Sequence, residues 1–299
     1  MGIISGALFT FLVLFVGAAL THLIELKFFP AEELGAAFPV KIKDDIKINH
    51  TDKCLYFSAP IVAFAGVAMA AAVIPFDENL IGSDINIGLF YFIVVVDFVV
   101  LGISIGGWGA NSSNSVETYY RITAQLIAYV VPLGLAIIGP IMMARSMSTQ
   151  NIINSQSGLW YIVSQPLGFA LYIVTALMQS YRAPFLEPFA ENNRKGILSF
   201  FGGWKAFLWR ITLSGVLFVV AAMGAILFLG GWKGPVLPGF LWMIVKIVFM
   251  IFLMLFAGRK VKKISSAEML KLSWKYLIPI GLFNVLIVGG LILLGVGGK

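Results

Sequence analysis

The chain has 299 residues, of which 60% are hydrophobic and only 12% are charged, and its mean hydropathy is +0.95. A soluble domain cannot bury so large an apolar fraction, so the composition predicts an integral membrane protein. The formal net charge of +7 does not indicate nucleic-acid binding, because the basic residues fall in short loops between apolar runs.

Residues that could bind a metal are scarce in this sequence. Cys54 is the one cysteine, and His22 and His50 are the two histidines. A single cysteine excludes a disulfide framework, and it excludes an iron–sulfur cluster held by cysteines of this chain alone. The sequence therefore predicts neither a metal site nor a redox centre.

Apolar runs long enough to cross a bilayer, about 20 residues each, occur eight times along the chain. They lie near residues 3–26, 55–75, 87–107, 124–144, 159–179, 207–229, 238–257 and 275–296. Backbone polar groups in lipid need partners within their own segment, so each run is expected to be a helix. We predict an all-α fold, a single polytopic membrane domain over residues 1–299 with about eight transmembrane helices.

The positive charges predict the orientation of the chain. Sixteen Lys and Arg residues lie in the odd-numbered loops, whereas the even-numbered loops carry only Arg145 and Lys233. By the positive-inside rule the odd loops are cytoplasmic and both termini lie on the non-cytoplasmic side. Three long cytoplasmic loops follow from this, near 27–54, 180–206 and 258–274. The last is basic enough to meet anionic lipid headgroups or an acidic partner protein.

Two charged residues fall near the middle of predicted spans. Asp97 follows three valines in the third run, where an unpaired charge costs about 2.5–3.5 kcal/mol on insertion scales. Two interpretations remain open for it: a titratable relay group, or a neutral acid hydrogen-bonded to a neighbouring helix. Lys246 lies in the seventh run and needs a carboxylate or carbonyl partner, with or without a role in coupling.

The segment 179–191 is charged and proline-broken, although it lies between two long apolar runs. It contains Arg182, with Pro184 and Pro188 beside it. Arg182 and Arg121 lie at predicted helix ends. Two interpretations are open for each. In the first, the arginine organises acidic groups or contacts a partner subunit through charge-assisted hydrogen bonds. In the second, it is a positive-inside anchor.

Several short motifs follow one another in an order that resembles one family. They are Gly107-Trp-Gly-Ala-Asn111, Arg121-Ile-Thr-Ala-Gln125, Gln165-Pro-Leu-Gly-Phe169, Arg182-Ala-Pro-Phe185, Phe228-Leu-Gly-Gly-Trp232 and Leu272-Ser-Trp-Lys-Tyr-Leu-Ile-Pro279. The ordered set, from Glu25 to Asn284, is similar to the H subunit of the proton-translocating NADH:quinone oxidoreductase, respiratory complex I. The mitochondrial counterpart of that protein is NADH dehydrogenase subunit 1.

The resemblance implies a non-redox membrane subunit of a multi-subunit oxidoreductase in the cell (inner) membrane. In that family the protein contributes to the quinone-binding chamber and couples quinone reduction to proton translocation. It binds no cofactor of its own; quinone is the substrate, and iron–sulfur clusters reside in partner subunits of the peripheral arm. Other membrane-arm subunits and membrane lipid are the remaining expected partners, and nucleic acid is not expected.

Two sets of candidate site residues follow. The first is implied by the resemblance, and the second consists of the two charged residues near the middle of spans, of which Lys246 also matches a Lys of the family. Each candidate for the quinone chamber and for coupling carries a positive or negative charge and lies in or near a cytoplasmic loop. These candidates are Glu25, Lys27, Asp44, Lys47, Arg121, Arg182, Glu187 and Glu191. The candidates for a membrane-embedded relay are Asp97 and Lys246.

This chain departs from the family pattern at several acidic positions. Leu186 and Phe189 stand where the family has Asp and Glu, with Glu187 displaced by one residue. Val130 replaces a usual Glu, and Phe200 falls where a further acidic stretch is expected. A carboxylate replaced by an apolar side chain cannot carry a proton, so the usual proton path is altered.

Two alternatives remain open from the sequence. One is the equivalent subunit of a membrane-bound hydrogenase-type complex, which would suit the reduced first loop. The motifs at 165–169 and in the last helix favour the respiratory complex instead. The other is a stand-alone transporter or channel, against which stand the ordered motifs and the lack of an evident internal repeat.

Overall fold

The computed structural model describes residues 3–28, 52–111, 113–185 and 201–295. Over these ranges the chain forms a bundle of helices, which confirms the predicted all-α class. The helices are α1 (Ile3–Phe28), α2 (Lys53–Ala72), α3 (Gly88–Val96), α4 (Phe98–Gly109), α5 (Ser113–Ala144), α6 (Thr149–Ser155), α7 (Tyr161–Ser164), α8 (Pro166–Gln179), α9 (Gly203–Leu229), α10 (Gly239–Arg259), α11 (Ser266–Leu272) and α12 (Ile278–Leu293). A π-helical turn, Ser273–Leu277, joins α11 to α12.

Seven helical segments among the described residues are long and apolar enough to cross a membrane, and α8 is a shorter apolar helix. These eight elements match the predicted number of spans. The run predicted near 159–179 is not one helix, because the backbone breaks at Gln165 and α8 begins with Pro166. Proline fits the first turn of a helix, where its missing N–H leaves no bond unmade.

The third predicted span, near 87–107, is divided into α3 and α4 at Asp97. The break lies midway along an apolar segment, at the position of its one ionisable residue. Val100 and Leu101 donate backbone hydrogen bonds to the Asp97 carbonyl, so the chain turns without losing those bonds. Asp97 therefore lies at a local break in the helix, midway along the span.

Polar residues at helix ends satisfy backbone groups that the helices leave without partners. The Asp52 carboxylate accepts hydrogen bonds from the amides of Cys54 (3.0 Å) and Leu55 (3.4 Å) and so caps α2. Ser265 and Glu268 form a reciprocal capping box at the start of α11. Gly230, at φ +71°, ends α9 in the left-handed conformation that glycine adopts without a steric penalty.

The centre of the bundle is α9, which packs against α1, α2, α8 and α10. Almost every residue from Thr212 to Leu229 is buried, and the segment is apolar on all faces. A helix that is hydrophobic all round belongs inside a bundle. By contrast, α12 leaves most of its surface exposed and lies at the periphery of the described helices.

Small residues bring α2 and α4 into close contact. A Cβ built on Gly102 would lie 2.7 Å from the Ala59 carbonyl oxygen and 2.7 Å from the Ala63 Cβ. Helices in lipid gain most of their association energy from close packing, which small residues permit. The glycine at position 102 is therefore a condition for the contact between these two helices.

We call the end of the bundle that carries the odd-numbered loops the basic face. It is marked by Glu25 near the end of α1, Arg182 just after α8 and Lys205 at the start of α9. The assignment of this face to the cytoplasm remains the prediction from charge.

We predict that Gly102→Ala lowers the thermal stability of the subunit, because its methyl group would displace the backbone of α2. Overpacking of this kind costs about 1–3 kcal/mol. The measurement is the midpoint of thermal unfolding of the purified subunit or complex. Gly290→Ala on α12 is the control, since nothing lies within 4 Å of its added Cβ. Equal midpoints for the two variants would contradict the close-packing argument.

Candidate functional site

A buried ion pair joins the basic ends of α1 and α8. The Arg182 Nε atom lies 2.6 Å from Glu25 Oε1, and each side chain is only 1% exposed. Removing two charges from water is expensive, and the attraction between them offsets that cost only when their geometry is close. Two residues named by the sequence as site candidates are thus brought together across 157 positions of chain.

The chain reverses sharply after α8, and this reversal positions Arg182. Tyr181 adopts a positive φ of 53°, and the Phe185 amide donates to the Arg182 carbonyl at 2.9 Å. Gln125 on α5 donates through Nε2 to the Met178 carbonyl at 2.6 Å. The end of α8 and the following turn are therefore fixed against α5.

Asp97 is the centre of a hydrogen-bonded group inside the membrane-spanning region. Its Oδ1 atom accepts hydrogen bonds from the Tyr129 hydroxyl at 2.8 Å and from Gln179 Nε2 at 3.3 Å. Tyr129 also shares a side-chain hydrogen bond with Tyr181. Tyr181 directly precedes Arg182, so the Asp97 group and the ion pair are neighbours in space and in sequence. We call the set of Asp97, Tyr129, Gln179 and Tyr181 the Asp97 network.

Both interpretations of Asp97 require a polar partner on a neighbouring helix, and the structure supplies such partners. The two donors, Tyr129 and Gln179, come from α5 and α8. Whether Asp97 relays protons or is a fixed neutral acid stays a prediction. The sequence identified Asp97, but it did not identify Tyr129, Gln179 or Tyr181 as its partners.

Lys246 has carbonyl partners at the opposite end of the bundle. Its ammonium donates to the carbonyls of Leu229 (2.6 Å), Gly231 (2.8 Å) and Lys233 (2.6 Å), which uses all three of its donors. It also lies 4.4 Å from the centre of the Trp160 ring. A cation is favoured at the carboxyl end of a helix, here α9, and over an aromatic face. This arrangement supports an anchoring role, and a relay role stays a prediction.

Sequence reasoning counted Lys205 only as a topology signal, but its side chain is 1% exposed. Its Nζ lies 4.5 Å from the Phe57 ring centre, 5.1 Å from that of Tyr56 and 5.6 Å from that of Trp204. Phe201 stacks on Tyr56 with ring centres 4.7 Å apart. The aromatic residues next to Lys205 in the sequence were the available signal for this cation–π site.

The remaining candidates are less involved in the described structure. Lys27 is exposed at the end of α1. Arg121 forms an ion pair of 2.7 Å with Glu117 one turn away on α5, where both side chains are partly or largely exposed. Val130 packs against the apolar core. Other sequence-based assignments lie outside the described residues; these concern Asp44, Lys47, Leu186, Glu187, Phe189, Glu191 and Phe200.

A groove of about 280 Å³ opens between α1 and α9 near the basic face. Its wall is mainly apolar, and it has two basic groups in its lining. The lining residues include Phe15, Ala18, Ala19, His22, Phe207 and Arg210. Such a groove fits an amphiphile with a long apolar chain and a polar head. Over the described ranges, no three His, Cys, Asp or Glu side chains cluster as metal ligands would.

Comparison with known proteins decides the family. Residues 37–289 match the family model described as NADH dehydrogenase. The chain belongs to this family. Family membership confirms the resemblance seen in the ordered motifs, and the apolar helices make this member a multi-pass membrane protein.

Three bacterial relatives, each an H subunit of NADH-quinone oxidoreductase, illustrate the similarity. The chain is 33% identical over 261 residues to the one numbered 2 in Syntrophobacter fumaroxidans, covering 84% of this chain and 79% of that protein. It is 33% identical over 253 residues to the protein of Brevibacillus brevis, and the match covers 82% of this chain and 75% of that protein. It is also 33% identical over 250 residues to the protein of Bacillus thuringiensis, and the match covers 82% of this chain and 75% of that protein.

We predict that the Glu25–Arg182 pair is strongly coupled in stability. Glu25→Leu or Arg182→Met alone leaves one buried charge without its partner, which costs about 3–5 kcal/mol. The double variant removes both charges, so its loss should be much smaller than the sum of the single losses. The measurement is a double-mutant cycle on the midpoint of thermal unfolding.

The control for this cycle is the exposed pair on α5, through Glu117→Leu and Arg121→Met. Exposed pairs contribute about 0.2–1 kcal/mol, so little coupling is expected there. Additive losses at Glu25 and Arg182 would show that the buried ion pair is not a unit.

We also predict that Lys246→Met lowers the midpoint of thermal unfolding markedly. The change leaves three carbonyls at the end of α9 without their donor, and each buried unsatisfied acceptor costs about 1–3 kcal/mol. Lys233→Met is the matched control, because that ammonium donates to one carbonyl, Asn154 at 3.0 Å, and is more exposed. Similar midpoints for the two variants would refute the anchoring role.

Proposed function

We propose that this chain is the membrane subunit of a complex I-type NADH:quinone oxidoreductase that contributes to the quinone-binding chamber and couples quinone reduction to proton translocation. The family assignment and the names of the bacterial relatives support an oxidoreductase subunit of this kind. Electrons would reach the quinone from an iron–sulfur cluster in a partner subunit of the peripheral arm. The other membrane-arm subunits and lipid would surround the exposed apolar faces.

One observation carries the coupling part of this proposal. The buried Glu25–Arg182 pair lies next to the Asp97 network along the chain. Tyr181, which directly precedes Arg182, shares a side-chain hydrogen bond with Tyr129, and Tyr129 donates to Asp97. Inside a membrane protein the effective dielectric constant is low, so a charge change at one group is felt strongly by its neighbours. A proton or charge that arrives near Arg182 would therefore alter the energy of the Asp97 carboxyl group.

The role of Asp97 in this proposal follows from the altered acidic positions of the chain. Several carboxylates expected from the family are apolar here, among them the position of Val130. Val130 directly follows Tyr129, the residue that donates to Asp97. We infer that Asp97 supplies, from the break between α3 and α4, a carboxyl group that the neighbouring position on α5 lacks.

The groove between α1 and α9 supports the quinone part of the proposal. Its apolar wall, with Ala18 and Ala19, suits an isoprenoid chain, and His22 and Arg210 suit a polar head. Glu25 lies one helical turn beyond His22 on α1, so the groove leads toward the buried ion pair. The relatives' names favour a quinone-reducing complex over the hydrogenase-type alternative.

We predict that Asp97→Asn reduces proton translocation several-fold while the complex still assembles. Asparagine keeps the size of the side chain and accepts both hydrogen bonds, but it cannot exchange a proton. The measurement is proton uptake per quinone reduced, in vesicles that contain the assembled enzyme and receive NADH.

Two further variants test whether that reduction is specific to the Asp97 network. Tyr129→Phe removes one donor to Asp97 and should give a smaller reduction of the same kind. Asp77→Asn, in the turn between α2 and α3, changes a carboxylate outside the Asp97 network and should leave the proton ratio unchanged. An unchanged proton ratio in Asp97→Asn would favour a purely structural carboxyl group.

A further inference from the structure

Two buried amide side chains meet where α5, α8 and α12 pack together. Gln165, at the start of α8, is 1% exposed, and Asn284, in the middle of α12, is 2% exposed. Three of their polar atoms, Gln165 Nε2, Gln165 Oε1 and Asn284 Nδ2, lack a hydrogen-bond partner among the described residues. Buried amides almost always have partners, and in lipid bulk water cannot supply them.

Two glycines allow these amides to lie close together against the backbones of α5 and α8. A Cβ on Gly139 of α5 would collide with Gln165 Oε1 and would lie 3.4 Å from Asn284 Nδ2. A Cβ on Gly168 of α8 would lie 3.0 Å from the same Asn284 atom. Both amides therefore lie at one place between the three helices, and a side chain on Gly139 would press on the Gln165 amide there.

The chemistry of the three atoms selects the ligand. Two of them are donors and one is an acceptor, so the ligand must both accept and donate hydrogen bonds. A cation is unsuited, because two amide N–H groups face the space. A larger solute is unsuited, because the surrounding helices pack at glycine distance. A water molecule meets both requirements, and two to four polar partners are what a buried water needs.

We propose that Gln165 and Asn284 bind a buried water molecule between α5, α8 and α12. The water accepts from the two N–H groups and donates to Gln165 Oε1, which satisfies all three atoms. It ties α12, which exposes most of its surface, to the more central α8.

This water site is separate from the Asp97 network. Gln165 and Gln179 lie at opposite ends of α8, fourteen residues apart, which is about 21 Å at 1.5 Å per residue. The proposed site therefore does not depend on the coupling function, and the two can be tested independently.

The first test is a cryo-electron microscopy map of the intact complex, at a resolution that shows ordered waters elsewhere in its membrane arm. We expect a density within hydrogen-bond distance of both amides, about 2.7–3.2 Å. A direct Gln165–Asn284 hydrogen bond with no density between the helices would overturn the proposal.

The second test displaces the Gln165 amide from its position without removing either amide group. Gly139→Ala places a methyl group against Gln165 Oε1, and we expect it to displace the density and lower the midpoint of thermal unfolding. Gly134→Ala is the matched control on the same helix, because nothing lies within 4 Å of its added Cβ. The control should keep both the density and the midpoint. A density that persists in Gly139→Ala would contradict the assigned position.

Discussion

A polar group inside a bilayer must find its partner within the protein, and this constraint decides where the charged side chains of this chain lie. The Glu25–Arg182 pair is the clearest case, since both side chains are almost fully buried and each neutralises the other. The pair also fixes the end of α1 against the turn that follows α8.

The apolar runs predicted the helices well, because length and hydropathy directly reflect the thickness of the bilayer. They failed where a polar or proline residue interrupts a helix without ending the apolar run. Asp97 divides the third span, and Gln165 with Pro166 shortens the fifth. Hydropathy averages over such single residues, so it cannot show that the backbone turns there. In both cases the interrupting residue belongs to a buried polar cluster.

Partners were much harder to predict than candidates. The sequence named Glu25, Arg182 and Asp97, but their contacts depend on how distant helices pack. Glu25 meets Arg182 from 157 residues away, and Tyr129 meets Asp97 from 32 residues away. One sequence without aligned relatives contains no direct record of such contacts. The family resemblance implied roles for these residues, and the packing of the helices determines which residues they contact.

Asp97 and Lys246, which lie near the middle of their spans, differ in a way that bears on the proposed coupling. Lys246 gives all three donors to backbone carbonyls, so losing its proton would break a bond that holds the end of α9. Asp97 instead receives its bonds through one oxygen, from a hydroxyl and an amide side chain that can reorient. A change of charge at Asp97 therefore requires only side-chain movement. Of the two, Asp97 is therefore the group that we propose as the relay.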